Sequence, residues 1–212
     1  MSESNVLTQI IEGVLEDVEK RFVPINQLRE QLENAPKLRG AFKALNQDGM
    51  RLIAEVKRSS PSKGNLAEIA DPRELANKYQ EGGADVISVL TEERRFKGSI
   101  ADLVSIRSSV DLPVLRKDFI VTEFQVIESR ILGADLILLI VAGLSKSQLI
   151  DFYQLSTELG MDVLVEVHDM DEAEKALIMI HGRGGSAQDI LSLSQHLKVK
   201  DYALLAPQAT NG

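Results

Sequence analysis

Apolar residues follow two alternating patterns from residue 53 onward. Short apolar runs with a two-residue side-chain period recur at intervals of 22 to 33 residues, and they begin near Ile53, Val86, Val114, Leu136 and Val163. Between and after them, apolar residues are spaced as in amphipathic helices over residues 72–81, 100–108, 123–132, 146–159 and 171–177. Repeated strand–helix units of this length predict a parallel sheet, either a (β/α) barrel or a doubly wound fold.

The same short motif precedes two of the predicted strands. Gly83-Ala84-Asp85 comes before the second strand and Gly133-Ala134-Asp135 before the fourth. Glycine suits a helix C-terminus that turns tightly into the next strand. This repeated unit favours a barrel over a doubly wound sheet, and five units amount to an incomplete one.

Two amphipathic helices are predicted before the first strand, over residues 5–21 and 24–34. They belong to a helical extension, residues 1–48, that precedes the barrel. Its role is left open between a cover over an active site and a cap on the barrel.

The amino-acid composition argues against a disulfide-bonded, membrane-spanning or secreted protein. The chain has 212 residues, a formal charge of −8 and 44% hydrophobic residues, which is enough for one sizeable core. The absence of cysteine excludes disulfides and a thiolate nucleophile. The longest wholly apolar run, 136–142, is too short to span a bilayer, and the N-terminal residues lack the pattern of a signal peptide. We therefore expect a cytoplasmic protein with no membrane or nucleic-acid partner, while its oligomeric state stays open.

Charged side chains close several of the predicted strands. Glu55 and Lys57 share a face of the first strand, Lys117 ends the third and Glu166 ends the fifth. Because the carboxyl ends of parallel strands meet at one mouth, two lysines and two carboxylates should converge there in a dry cleft, as acid–base chemistry requires. The alternatives are a buried Glu–Lys pair that holds register and a ring of structural salt bridges.

Five segments together resemble indole-3-glycerol-phosphate synthases, and the resemblance extends over residues 1 to about 177. The segments are 52–64 with Glu-Val-Lys-Arg-Ser-Ser-Pro-Ser, 88–98, 113–121 with Lys-Asp-Phe-Ile-Val, 132–141 and 165–169. The resemblance implies an α/β fold, the (β/α)8 TIM barrel, and a lyase of tryptophan biosynthesis that needs no cofactor. The implied substrate is a small anion, 1-(2-carboxyphenylamino)-1-deoxyribulose 5-phosphate, whose pyrrole ring closes with loss of CO₂ and water.

The resemblance also implies residue roles. Lys117 would be the acid that protonates the developing alkoxide, and Lys57 would hold anionic groups of the substrate and share in proton transfer. Glu166 and Glu55 would serve the dehydration. The implied substrate-binding residues are the apolar Phe96, Phe119 and Leu138 and the loop residues Ser60, Pro61 and Ser62.

The last residues depart from this family. Strands six to eight, with their expected phosphate-binding loops, are not found, so the synthase site is expected to be truncated and poorly active or inactive. Residues 178–212 instead resemble the start of a carboxylesterase-type α/β-hydrolase, with strands at 176–180 and 202–206 flanking a helix at 186–197.

The oxyanion-loop-like residues of this tail are His181, Gly182, Gly184 and Gly185, and no Gly-x-Ser-x-Gly motif follows. The predicted domains are therefore 1–48, 49–177 and 178–212. Besides the synthase, the alternatives are a non-catalytic anion- or partner-binding remnant, an esterase fragment, and a glycine loop without chemistry.

Overall fold

The computed structural model describes residues 3–181 and 202–205. Its α-helices are α1 (Glu3–Arg21), α2 (Ile25–Glu30), α3 (Ala41–Leu45), α4 (Pro72–Glu81), α5 (Ile100–Ser109), α6 (Glu123–Ile131), α7 (Lys146–Glu158) and α8 (Met170–His181). Its strands are β1 (Ile53–Val56), β2 (Ser59–Ser60), β3 (Gly64–Asn65), β4 (Val86–Leu90), β5 (Val114–Lys117), β6 (Leu136–Ile140), β7 (Asp162–Val167) and β8 (Tyr202–Leu205). Two 3₁₀ turns cover Gln31–Asn34 and Val141–Gly143.

The main sheet has the strand order β1-β4-β5-β6-β7-β8. The first five of these strands are parallel neighbours, and a helix follows each one before the chain enters the next. This arrangement confirms the incomplete (β/α)8 barrel. The second sheet is a small antiparallel hairpin of β2 and β3 in the loop after β1.

Strand and helix positions agree closely with the sequence pattern. Four of the five parallel strands begin at the predicted residue, and β7 begins one residue earlier, at Asp162. Helices α4 to α7 match their predicted bounds within about a residue. The sequence pattern missed α3 and the β2–β3 hairpin, because elements this short carry too few residues to show a period.

The predicted strand at 176–180 is wrong. These residues continue α8, whose last residue is His181, so His181 ends a helix and does not begin a glycine loop. A five-residue apolar run cannot be told from a buried helix by periodicity, and Ala173 and Ala176, both buried, lie on one helix face. The predicted boundary between 177 and 178 falls inside this helix, while the division into domains stays a prediction.

The tail does supply a strand beside β7, but a different one from 178–181. Strand β8, within the predicted 202–206, pairs with β7 in antiparallel register, Tyr202 opposite Val167 and Leu205 opposite Leu164. The predicted helix at 186–197 and the glycines Gly182, Gly184 and Gly185 lie outside the described residues.

The parallel sheet is covered on both faces. Between it and the helices lies the larger apolar cluster, to which Val56, Val89 and Val165 contribute. The other face points into the barrel, where Ala41 of α3 packs with strand residues in a smaller cluster: Val86, Leu115, Leu136, Leu138, Ile140 and Leu164. Burial of both faces explains the near-continuous apolar strands. Among the described residues, no helix is both long and apolar enough to cross a membrane.

Aspartates at the start of the strands tie the N-terminal extension to the barrel. Gly133 adopts φ +89°, a left-handed turn that brings Asp135 to the start of β6. The carboxylate of Asp135 accepts hydrogen bonds from the backbone N–H of Arg39 at 2.7 Å and from that of Val114 at 2.8 Å. In the same way Asp162 accepts the N–H of Phe42 at 2.8 Å. The segment around α3 therefore closes the N-terminal end of the barrel.

Candidate active site

An ion pair joins the ends of β5 and β7. Lys117 Nζ donates to Oε2 of Glu166 at 2.7 Å, although the two residues are separated by 49 positions in the chain. Each side chain retains 27% of its exposure, so the pair lies at an open mouth and the expected dry cleft is not found. The reason is that Lys117 is the last residue of β5 and Glu166 the last but one of β7, so both lie beyond the apolar layer of the barrel interior.

A second ion pair lies on β1. Lys57 Nζ donates to Oε1 of Glu55, and the hydroxyl of Ser88 donates to Oε2 of the same carboxylate at 3.3 Å. Ser88 stands beside Glu55 because the two residues are register partners in the parallel pairing of β1 with β4. Both oxygens of Glu55 are therefore occupied, one by a cation and one by a hydroxyl.

Both ion pairs line one cavity of about 950 Å³ at the C-terminal ends of the strands. The four charged residues Glu55, Lys57, Lys117 and Glu166 thus line the same cavity. The cavity is also lined by Pro61, Ser62, Phe96, Asp118, Phe119, Leu138 and His168. Of the predicted site residues in the described barrel, Ser60 alone is not among the lining residues, and its hydroxyl accepts the N–H of Lys63 at 3.3 Å.

Two phenylalanines form an aromatic wall of this cavity. The ring centroids of Phe96 and Phe119 are 6.0 Å apart and the rings are tilted by 42°. Phe96 sits in the loop after β4, where the buried carboxylate of Glu92 accepts the backbone N–H groups of Arg95 and Phe96 at 2.8 and 2.9 Å. The loop closes where Gly98 N–H donates to the Glu92 carbonyl at 2.9 Å.

Helix α1 lies over the mouth of the cavity. Its residues Val6, Leu7, Thr8, Ile10 and Ile11 line the hollow. Arg94, in the loop after β4, holds the helix through Asp17 and Glu16 at 2.6 to 2.8 Å. The extension thus combines the two roles that sequence left open, since α1 covers the mouth and the α3 segment caps the opposite end.

A buried polar network lies behind β5, mainly on the face turned away from the cavity, and its member Asp118 also borders the cavity. The fully buried Arg116 donates to Glu128 at 2.9 Å, to Asp118 at 3.1 Å and to the Thr91 hydroxyl at 3.2 Å. Arg21 of α1 donates to Glu128 at 2.7 Å. Burial alone would raise the pKa of Glu128, but hydrogen bonds and charges from Arg21 and Arg116 outweigh it and hold that pKa below its usual value.

This network fixes the backbone on both sides of Lys117. Arg116 and Asp118 flank the lysine, and Asp118 Oδ1 also accepts the backbone N–H of Phe119 at 2.8 Å. Sequence reasoning assigned no role to Asp118, Ser88 or His168. Register could have indicated Ser88, whereas the other two depend on side-chain directions beyond the strand ends. Among the residues that the structure describes, no group of His, Asp or Glu is arranged to hold a metal ion.

Successive β/α units with acids and bases at the C-terminal mouth define the class of (β/α)-barrel enzymes. Within that class, the family model for indole-3-glycerol phosphate synthase matches residues 7–183. The chain belongs to the indole-3-glycerol phosphate synthase family.

Curated relatives carry the same name. The chain is 54% identical over 179 residues to the indole-3-glycerol phosphate synthase of Paenarthrobacter aurescens, covering 81% of this chain and 66% of the relative. It is 52% identical over 175 residues to that of Streptomyces griseus, covering 82% and 65%. The "Indole-3-glycerol phosphate synthase 1" of Streptomyces coelicolor is 54% identical over the same shares. The chain thus spans just under two thirds of the length of these relatives.

Proposed function

We propose that this chain carries the acid–base site of an indole-3-glycerol-phosphate synthase. The observation that carries the proposal is the 2.7 Å contact of Lys117 with Glu166 in a cavity that also holds the Glu55–Lys57 pair. An acid and a base held side by side suit a reaction in which one proton must be given and another removed.

The two steps of the reaction make separate demands. In ring closure, the aromatic carbon that bears the carboxylate attacks the ketone carbon, and Lys117 donates a proton to the oxygen that becomes a hydroxyl. The carboxylate leaves as CO₂, and its bonding electrons return to the ring. In the dehydration, Glu166 takes a proton from the carbon between the nitrogen and the former ketone carbon, while the hydroxyl departs as water with a proton from Lys57. Glu55, held by Ser88 and Lys57, is the second carboxylate for this step.

Substrate binding follows from the rest of the cavity. We assign Lys57 to anionic groups of the substrate, and Phe96, Phe119 and Leu138 to its aromatic ring. The loop of Ser60, Pro61 and Ser62 lies over the same end of β1. The proposed substrate is a small phosphorylated carboxylate, which fits a cytoplasmic location, and the proposed chemistry requires no cofactor.

The test is turnover by the purified full chain. We expect slow formation of indole-3-glycerol phosphate from 1-(2-carboxyphenylamino)-1-deoxyribulose 5-phosphate, monitored by indole fluorescence. Lys117→Met should lower kcat at least about a hundredfold, because proton transfer by a positioned side chain contributes 10² to 10⁴. The matched control is Lys43→Met, an exposed lysine on α3 at the opposite end of the barrel.

Two other outcomes would overturn the proposal. Calorimetric binding of the substrate without turnover would favour a non-catalytic anion-binding protein. Hydrolysis of a p-nitrophenyl ester that a serine-directed inhibitor abolishes, without formation of indole-3-glycerol phosphate, would favour the hydrolase resemblance of residues 178–212. That resemblance stays a prediction.

A further inference from the structure

His168 lies beside the Glu166 carboxylate, on the side opposite Lys117. It follows β7 by one residue and lines the same cavity. Its Nε2 is 3.3 Å from Oε1 of Glu166, while Lys117 contacts Oε2. The carboxylate of Glu166 therefore lies between two nitrogen groups, with Lys117 hydrogen-bonded to one oxygen and His168 Nε2 near the other.

We propose that His168 is a positioning residue for Glu166, donating from Nε2 to Oε1 so that Oε2 faces Lys117 and the substrate. The inference rests on the proposed function, in which Glu166 is the base. A glutamate has three rotatable side-chain bonds, so a carboxylate tied at one oxygen only can swing away from the reacting atoms. A second tie removes that freedom before substrate binds.

The start of α8 contacts the other ring nitrogen, and both nitrogens can donate to carboxylates only in the doubly protonated ring. Nδ1 of His168 lies 3.4 Å from Oε2 of Glu172, in the first turn of the helix. Glu172 is itself anchored, because its oxygen accepts the backbone N–H of His168 at 2.8 Å and its own N–H donates to Asp169 at 2.8 Å. The charged groups around the ring in the described residues are Glu166 of β7 and Glu172 of α8, with Asp169 at the helix start.

The surroundings of His168 indicate that its ring is not needed to hold the start of α8 or to fill the core. The helix start is held by the backbone N–H of His168 and by Asp169, and both persist when the imidazole ring is replaced. The ring retains 54% of its exposure, so removing it leaves no cavity in the core. Loss of the ring should therefore act on Glu166 far more than on folding.

Three substitutions at one position test the proposal through activity. The amide nitrogen of glutamine reaches the place of Nε2, whereas that of asparagine reaches only the place of Nδ1. We expect His168→Ala and His168→Asn to lower kcat roughly ten- to a hundredfold, with KM changed less than about twofold, because a misplaced group about 1 Å away costs up to about 10². His168→Gln should retain most of kcat, and the control Glu174→Ala, an exposed acid on α8, should match the wild type.

Chemical labelling tests the same contact without relying on turnover. If Glu166 loses its position, Lys117 loses its partner, and acetic anhydride should label Lys117 several times faster in His168→Ala than in the wild type or in Glu174→Ala. His168→Gln should restore slow labelling, read by mass spectrometry. An inactive wild type would contradict the proposed function alone. Equal kcat or equal labelling in His168→Ala and wild type would overturn the positioning role.

Discussion

Gly98 is the position where one added methyl group should do most harm to the site. A Cβ built there would lie 2.2 Å from the Leu90 carbonyl oxygen, 2.5 Å from its carbon and 2.8 Å from the Thr91 nitrogen. All three atoms belong to the backbone at the end of β4, so no side chain can rotate away. Since carbon contacts are comfortable only near 3.5 Å, the loop must move by about 1 Å.

The magnitude follows from what the loop carries. Overpacking costs about 1–3 kcal/mol, and a clash with backbone alone belongs at the upper end, so Gly98→Ala should lose about 3 kcal/mol of unfolding free energy. For a chain of this size that corresponds to a melting temperature lower by about 6–12 °C. Because the same loop carries Phe96, a shift of about 1 Å should lower kcat/KM about a hundredfold.

The assay compares thermal unfolding with turnover for Gly98→Ala and for Gly40→Ala. At Gly40 the added Cβ would meet only Lys43 Cβ at 3.5 Å, an ordinary contact, so this control should behave like the wild type. A Gly98 variant that melts and turns over like the wild type would refute the steric reasoning. A variant that is destabilised but fully active would show that the loop shift does not reach Phe96.

Three further predictions concern groups around the barrel. Ser88→Ala should lower kcat about fivefold, since a hydrogen bond of about 1 kcal/mol to Glu55 is lost, and an unchanged kcat would contradict this role. Arg116→Met should cost about 3–5 kcal/mol in urea unfolding, because Glu128 and its neighbours lose a buried partner, and a loss below about 1 kcal/mol would contradict it. Burial raises the pKa of Asp135 from 3.8 to about 6, so the folded chain binds more protons there and this group's contribution to stability falls by about 2 kcal/mol as pH rises from 4 to 7. The stability advantage of wild type over Asp135→Asn should shrink across that range, and a constant difference would contradict the shift.

The spacing of apolar residues in the sequence predicted most of the strands and helices of the fold. The β/α units could be located from sequence because each parallel strand is buried on both faces and each helix on one, which leaves a strong pattern. Helix α8 shows where the pattern fails. The apolar run at 176–180 has the length of a strand and the composition of either element, and only the contacts of Ala173 and Ala176 with the core decide for a helix.

The sequence predicted those features of the candidate site that depend only on the order and direction of the strands. Glu55, Lys117 and Glu166 lie toward the carboxyl ends of three parallel strands of one sheet, β1, β5 and β7, so their meeting at one mouth follows from strand direction alone. The pairing of Lys117 with Glu166, and the ring of His168 beside it, could not be predicted in this way. These contacts depend on side-chain rotamers, on the pleat of the strands and on the residue at which α8 begins. The spacing of apolar and polar residues in the sequence predicts none of these.

The pleat of β5 connects the buried ion pairs that stabilise the fold with the position of Lys117 in the cavity. Alternate side chains of a strand point to opposite faces, so Lys117 can enter the cavity only if Arg116 and Asp118 point back toward the helices. Charges buried there are costly unless they are paired, and Glu128, together with Arg21 from α1, completes that pairing. The helix that covers the mouth therefore also stabilises the strand that presents the lysine. A change at Arg21 should reach the cavity through this route, although no atom of Arg21 lines it in the described residues.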